Sequence, residues 1–548
     1  MRKKKIKDKK IMNILSNQKG MALLTTLIFV FILVTFSVSL LIMTSNDTKL
    51  SALQRDSTKA FYIAEAGIER TLYNLKKDFE NSEDWNDQDN PDDPNYREIH
   101  GYPLTYEDEN GFRKIEYIAG YDVEFGDGGD GTYTVALKIN SSNYVTIKSK
   151  GKYDNSIRYV QVDVKIESLS IWGNGIFGGS GASGSAISGN VDIRGSVHIL
   201  GEGLSPADIA IEITGTAGIG NNYIGMDSNL RSRVIDPPTN ELGDQTLNAK
   251  LRVKNGKVNI SGTATVGEPD ILGNGYKETM DGVYVTDRFG GNQGESNVYS
   301  DNGTDQLYDL GEGTLEFPTL DYYYIDITTG ETVENPDNNN EPYTYKEYYN
   351  SDNVYHIIDN DEVIKVSSIT SETESFTIPL DAPGSYANYI IWDQAGALTI
   401  SGIIVIDVNV SIGDKQKDPL NYIYEYEGTG TIVSKVDISI HGDLLANANG
   451  LFPTNNSLGL VAYNNINLAT GDGDSQLKMM GSFYAENKIT SAKQSEVVGT
   501  FVSNYFYMGN EVPSIYQVPE LINNMPPGMP GTGVSYYLYT NNWHETHE

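Results

Sequence analysis

The side chains that could do chemistry are few and poorly grouped. The chain has 548 residues and no cysteine, which removes thiolate metal sites, disulfides and cysteine nucleophiles together. Its histidines, His100, His198, His356, His441, His544 and His547, are scattered except for the last two. Those two would suit a metal on a helix, but they stand where fraying is expected. Gly173, Gly175 and Gly178 spell G-x-G-x-x-G. A dinucleotide site needs a helix directly behind such glycines, and "GSGASGSAISG" cannot supply one. Asp84, Asp87, Asp89, Asp92 and Asp93 crowd an acidic stretch. Prolines intrude there, and no glycine sits where an EF-hand turn requires it, so a solvated loop is the expectation rather than a Ca²⁺ site. There is no H-E-x-x-H, Walker or G-x-S-x-G pattern. The residues predict no catalytic centre, no metal and no cofactor.

Charge is distributed unevenly. The formal net charge is −34. Eight basic residues, Arg2, Lys3, Lys4, Lys5, Lys7, Lys9, Lys10 and Lys19, precede Gly20, opposed only by Asp8. Beyond Gly20 there are 32 basic and 73 acidic side chains, a net of −41, which would repel a phosphate backbone and argues against a nucleic-acid partner. With so many carboxylates, pairs suited to glycoside hydrolysis arise by chance and point to nothing.

The elements that must position any function begin with Met21 to Met43, 23 residues without a charge. As a helix they span roughly 35 Å, enough for a bilayer core. The run is too long for a secretory signal and lacks a small-residue cleavage site behind it. The basic block in front predicts a cytoplasmic N-terminus. Leu50, Leu53, Phe61, Ala64, Ile68, Leu72, Leu75 and Phe79 then continue one apolar stripe. A single helix of about 60 residues, greasy all round and then amphipathic, is expected over 21–80. Ala60, Ala64 and Gly67 give its second half a small-residue face, suited to close approach by a sheet or a neighbouring helix. Gly67 costs about 1 kcal/mol relative to alanine in a helix interior, so it calls for such a reason.

"KGMALLTTL" and, some 40 residues on, "AFYIAEAGIERTLYNL" (60–75) resemble type IV pilins and pseudopilins, the second peptide closely resembling the PilX N-terminal family. The resemblance implies a class III leader cut by prepilin peptidase between Gly20 and Met21, with N-methylation of the new Met21 amine. It implies partners among other pilins through the helix, and an assembly platform in the membrane. Most major pilins carry glutamate at the fifth mature position, where it is thought to pair with a neighbouring subunit's amine. This chain has Thr25, whose hydroxyl can return to a helix carbonyl. That departure implies a low-copy, tip-proximal subunit.

Beyond the helix, "YDVEF", "TYTVALKI", "YVTIKSKG" and "RYVQVDVKIE" alternate with period two between tight turns, an antiparallel meander. From 171 the composition shifts to Gly, Ser, Ala and Ile, with short strands at near-regular spacing that predict a β-solenoid. The irregular period leaves a β-sandwich as the alternative. The expected organisation is a leader 1–20, a helix 21–80 with its transmembrane part at 21–43, and an acidic linker 81–101. A meander 102–170 and a solenoid-like region 171–318 follow. An insertion rich in Tyr, Asn and acids (319–388) comes next, then more solenoid (389–512) and a proline-rich tail (513–548). The insertion's tyrosines suit either a contact surface for a ligand or cross-strand pairs. The fold class is α+β: a long N-terminal helix, an antiparallel meander and a large all-β, solenoid-like head. The competing functions are a membrane-anchored β-helical polysaccharide enzyme and a surface adhesin on a plain anchor.

Overall fold

A computed structural model describes residues 2–80, 98–108, 110–117, 123–125, 131–141, 144–179, 187–188, 191–239, 243–268, 279–287, 289–291, 294–301, 303–304, 308, 315–419, 422–508, 513–531 and 534–546. The acidic stretch from Asp84 to Asp93 and His547 lie outside them. The chain forms two units, Met1–Glu167 with Tyr536–Glu548, and Ser168–Ser535.

In the first unit a continuous helix runs Arg2–Glu80. Strands Gly131–Ser141, Tyr144–Tyr153 and Ser156–Ser170 pair antiparallel, with Val135 opposite Ser149 and Ile147 opposite Val162. Alternation does what period two demands. Tyr133, Val135 and Leu137 on one strand, and Val160, Val162 and Val164 on another, turn inward with Val145 and Ile147 between them. They meet Ile63, Ala64, Ile68 and Leu75 of the helix in one core. Shorter strands Glu98–Ile99, Tyr102–Glu107, Arg113–Ile115 and Val123–Phe125 extend the sheet on one side. On the other side it takes in Val534–Thr546, which joins beside Ser156–Ser170. Residues that read as a proline-rich tail therefore divide in two. The stretch 513–531 packs in the second unit, where Leu521 and Met529 are buried, and the strand 534–546 joins the sheet of the first, which the chain re-enters at Tyr536.

The second unit is a parallel β-solenoid. A turn reads Asp192–Arg194, Val197–Ile199, Ile209–Ile213, and each strand pairs in parallel with its counterpart one turn on: Gly218–Gly220, Leu251–Val253 and Lys257–Ile260. Excursions of different length between strands blur the period in the sequence. The stacking order is not the chain order. Along one face the inward residues run Ile404, Ile432, Leu460, Phe483, Phe501, then Ile176, Val197, Leu251 and Val283. The early turns build outward from mid-stack; the chain then passes to the opposite end and builds back, so that Phe501 closes against Ile176. All nine residues are buried.

The tyrosine-rich stretch is mostly interior. Tyr324, Tyr345 and Tyr349 are buried. The Tyr345 hydroxyl donates to the Met529 carbonyl at 3.2 Å and that of Tyr349 to the Gly528 carbonyl at 2.5 Å. Tyr322 and Tyr323 remain exposed.

One buried histidine gives the solenoid a pH dependence. His198 is wholly buried beside Phe177, with Nε2 2.5 Å from the Tyr308 hydroxyl. Desolvation holds its pKa well below the usual value, aided by Arg252 and Lys254. Below a pH of about 6.5 the unfolded chain binds a proton that the folded one refuses, so stability falls as pH drops. We expect His198→Gln to flatten the pH dependence of the urea midpoint between pH 7 and 5. The slope removed would be at most about 1.4 kcal/mol per pH unit. Identical slopes in both proteins would contradict the assignment.

Candidate functional site

The helix is two different objects. From Met21 to Leu53 every large apolar side chain is exposed, Leu27 and Phe31 by about two thirds, and nothing among the described residues covers them. A helix this long and this apolar can cross a membrane. Gly20 and Met21 lie within it without a break. Thr25 Oγ1 donates to the carbonyls of Met21 at 2.9 Å and Ala22 at 3.0 Å. The hydroxyl is thus satisfied by its own helix, and the fifth position after Gly20 asks for no partner. Thr26, Thr35, Ser39 and Thr44 return their hydroxyls in the same way, which lets polar side chains sit in an apolar run at little cost.

From Ala60 onward the helix is seated on the sheet. Ala60 and Ala64 are fully buried. A Cβ at Gly151 would lie 2.1 Å from the Ala60 carbonyl oxygen and 2.4 Å from the Ala64 nitrogen. A Cβ at Gly67 would lie 2.5 Å from Ser149 Oγ and 2.9 Å from both Tyr133 and Val135. Glycine on the helix faces serine on the strand, and glycine on the strand faces alanine on the helix. Of the two partners that the small face suits, the sheet takes it. Ala60, Ala64 and Gly67 are brought together there, well separated along the helix from Gly20, Met21 and Thr25.

A polar clasp flanks this contact. Arg70 donates to the Tyr133 hydroxyl at 3.0 Å and lies 4.2 Å over the Tyr117 ring. Thr71 and Tyr117 share a buried hydrogen bond of 2.8 Å, and burial pushes the Tyr117 hydroxyl up to about 12. Asp78, also buried, accepts from the His100 amide at 2.8 Å. Lys59 reaches the Tyr153 hydroxyl at 2.7 Å, and Arg158 donates to Ser57. Helix and sheet are therefore fixed from 57 to 78.

The PilX N-terminal family model matches residues 19–69. That segment of the helix is type IV pilin-like. It starts one residue before Gly20 and ends two residues after Gly67, taking in the bare helix and the small-residue contact. Three solved chains match, among them the competence-associated pilin ComZ from Thermus thermophilus. That protein is 20% identical, with 90% of this chain and 98% of that chain covered, at a TM-score of 0.49. No curated protein matches.

The sheet's half of the contact with the PilX N-terminal segment was not legible beforehand. Gly151, Ser149 and Gly131 line the trough, and a Cβ at Gly131 would meet Ile63. The available signal was a glycine and a serine on the inward period of "YVTIKSKG", where a buried strand normally carries large apolar residues.

Proposed function

We propose that this chain is a non-enzymatic minor pilin or pseudopilin of a type IV filament system. The leader is removed between Gly20 and Met21 by prepilin peptidase, and the Met21 amine is a candidate for methylation. The mature subunit waits in the cytoplasmic membrane as a single span with its N-terminus inside. The assembly platform then moves its helix from lipid into a filament core among other pilins. The observation that carries the proposal is the division of one uninterrupted helix into a bare apolar half and a half locked to its own sheet. A plain anchor has no need of rigid coupling between span and globular domain, whereas a subunit extracted from a bilayer does. Thr25, satisfied within its own helix, supports a position at or near the tip. A solenoid of more than 300 residues supports it too, because such a head is hard to repeat at dense filament spacing. At the tip it would prime assembly, present the head for adhesion, or both. The acidic body leaves no role for nucleic acid.

Mass spectrometry of the surface-exposed protein should find Met21 as the first residue; a mature chain beginning at Met1 would sink the proposal. Immunogold labelling should mark filament ends, and label spread along the whole fibre would overturn the tip position.

A further inference from the structure

Where the two half-stacks of the solenoid join, one face carries an open polar groove of about 730 Å³. Its floor is a column of side chains set in register across consecutive turns. Lys478 pairs with Glu496, Glu496 with Ser514, and Ser514 with Asp192. Asp443 stands before Lys478, accepting that residue's backbone amide at 2.9 Å. The order across the join is acid, lysine, acid, serine, acid, at about 4.8 Å per turn. Glu496 and Asp192 thus lie about 10 Å apart on opposite sides of the closure.

The column is held in place. Glu496 accepts the Asp227 amide at 3.0 Å, and Asp227 in turn pairs with Lys478 at 2.9 Å. Burial raises the carboxyl groups of both Asp443 and Glu496, so each is a ready partner for a hydroxyl whichever protonation state it holds. The rim is supplied by Ser475, Gln476 and Gln494.

The lining decides the class of ligand. Four carboxylates stand against two lysines, Lys415 and Lys478, which repels phosphates, nucleic acids and acidic sugars. Among the described residues the lining has no aromatic ring and only one large apolar residue, the buried Leu477, so a peptide finds no anchor there. Among the described residues no group of three or more acids and histidines could hold a metal ion. Alternating acceptors and donors on a rigid, ring-sized repeat match a polyol. We propose that the groove binds a neutral or amino-bearing oligosaccharide laid across the join, its hydroxyls taken by Asp443, Lys478, Glu496 and Asp192. The proposal rests on the head being an adhesive surface. It is tested apart from assembly, because its failure would leave the N-terminal processing test untouched.

The experiment uses the full chain in detergent, titrated with cellohexaose, a glucosamine hexamer and a galacturonate hexamer. Wild type should bind the first, the second or both, and not the uronate. Glu496→Gln should weaken binding at least tenfold. Ser475→Trp and Gln476→Gly change exposed rim positions, the second already at a φ of 51° that glycine accepts; each should also weaken binding, and they decide the matter if Glu496→Gln fails to fold. No binding of either non-acidic hexamer, equal binding of the uronate, or affinity unchanged in the folded variants would overturn the proposal.

Discussion

Replacing Gly151 with alanine is expected to cost about 3 kcal/mol, among the largest effects that one methyl group can have. The added carbon would sit 2.1 Å from the Ala60 carbonyl and 2.4 Å from the Ala64 amide nitrogen, both helix backbone atoms that no rotamer change can move aside. The helix would have to lift from the sheet, opening the contacts of Ile63 and Ile68 behind it. Gly67→Ala is the companion test, and there two effects oppose each other. In a free helix the change should stabilise by about 1 kcal/mol. In the protein the new carbon meets Ser149 Oγ, Tyr133 and Val135, so a net loss of about 1–2 kcal/mol is expected. Ser149→Gly in the same chain should recover part of it by removing the nearest atom. Urea midpoints of the three variants measure this. A stabilised Gly67→Ala protein would show that the helix is not seated at this depth.

The second large effect is expected at the closure of the solenoid. Phe501→Ala should cost about 3–5 kcal/mol, the range for deleting a buried ring from a close-packed core. Phe501 stacks in register between Phe483 and Ile176, and its ring meets that of Phe483 edge-on at 5.2 Å. In a stack whose turns touch only their neighbours, a defect is felt according to where it lies. A mid-stack defect should lower amide protection on both sides, at Ile432 and Leu460 as well as at Val197 and Leu251. Val283→Ala, on the last full turn of the described stack, should cost less and leave Leu460 unaffected. Hydrogen exchange distinguishes the two patterns, and loss confined to the turns before Phe501 would refute a closed stack.

How much of this was legible beforehand depends on the range of the interaction. The helix announced itself through a long uncharged run and an apolar stripe of regular spacing, both of them local patterns. The meander strands followed from period two in stretches such as "TYTVALKI". Thr25 could be read as harmless because its acceptors lie three and four residues away on the same helix. The tyrosines of 319–388 were ambiguous, since composition says nothing of whether Tyr345 points to solvent or toward Met529, 184 residues on.

By itself, then, the sequence determined the two-part helix, its resemblance to PilX-type pilins, the absence of thiol chemistry and a predominantly β head, into which the structure sets short helices such as Asn360–Ser367. Each rests on periodicity or composition within a few tens of residues. Only the tertiary structure decided that the small-residue face belongs to the sheet, that the last strand returns to the first unit, and that the solenoid closes in its middle with Phe501 against Ile176. Those pairings join residues from 66 positions apart, as Gly67 and Tyr133, to more than 300, as Ile176 and Phe501 at 325. Their partners are chosen by shape and unpaired backbone at the moment of packing, and no local pattern records that choice.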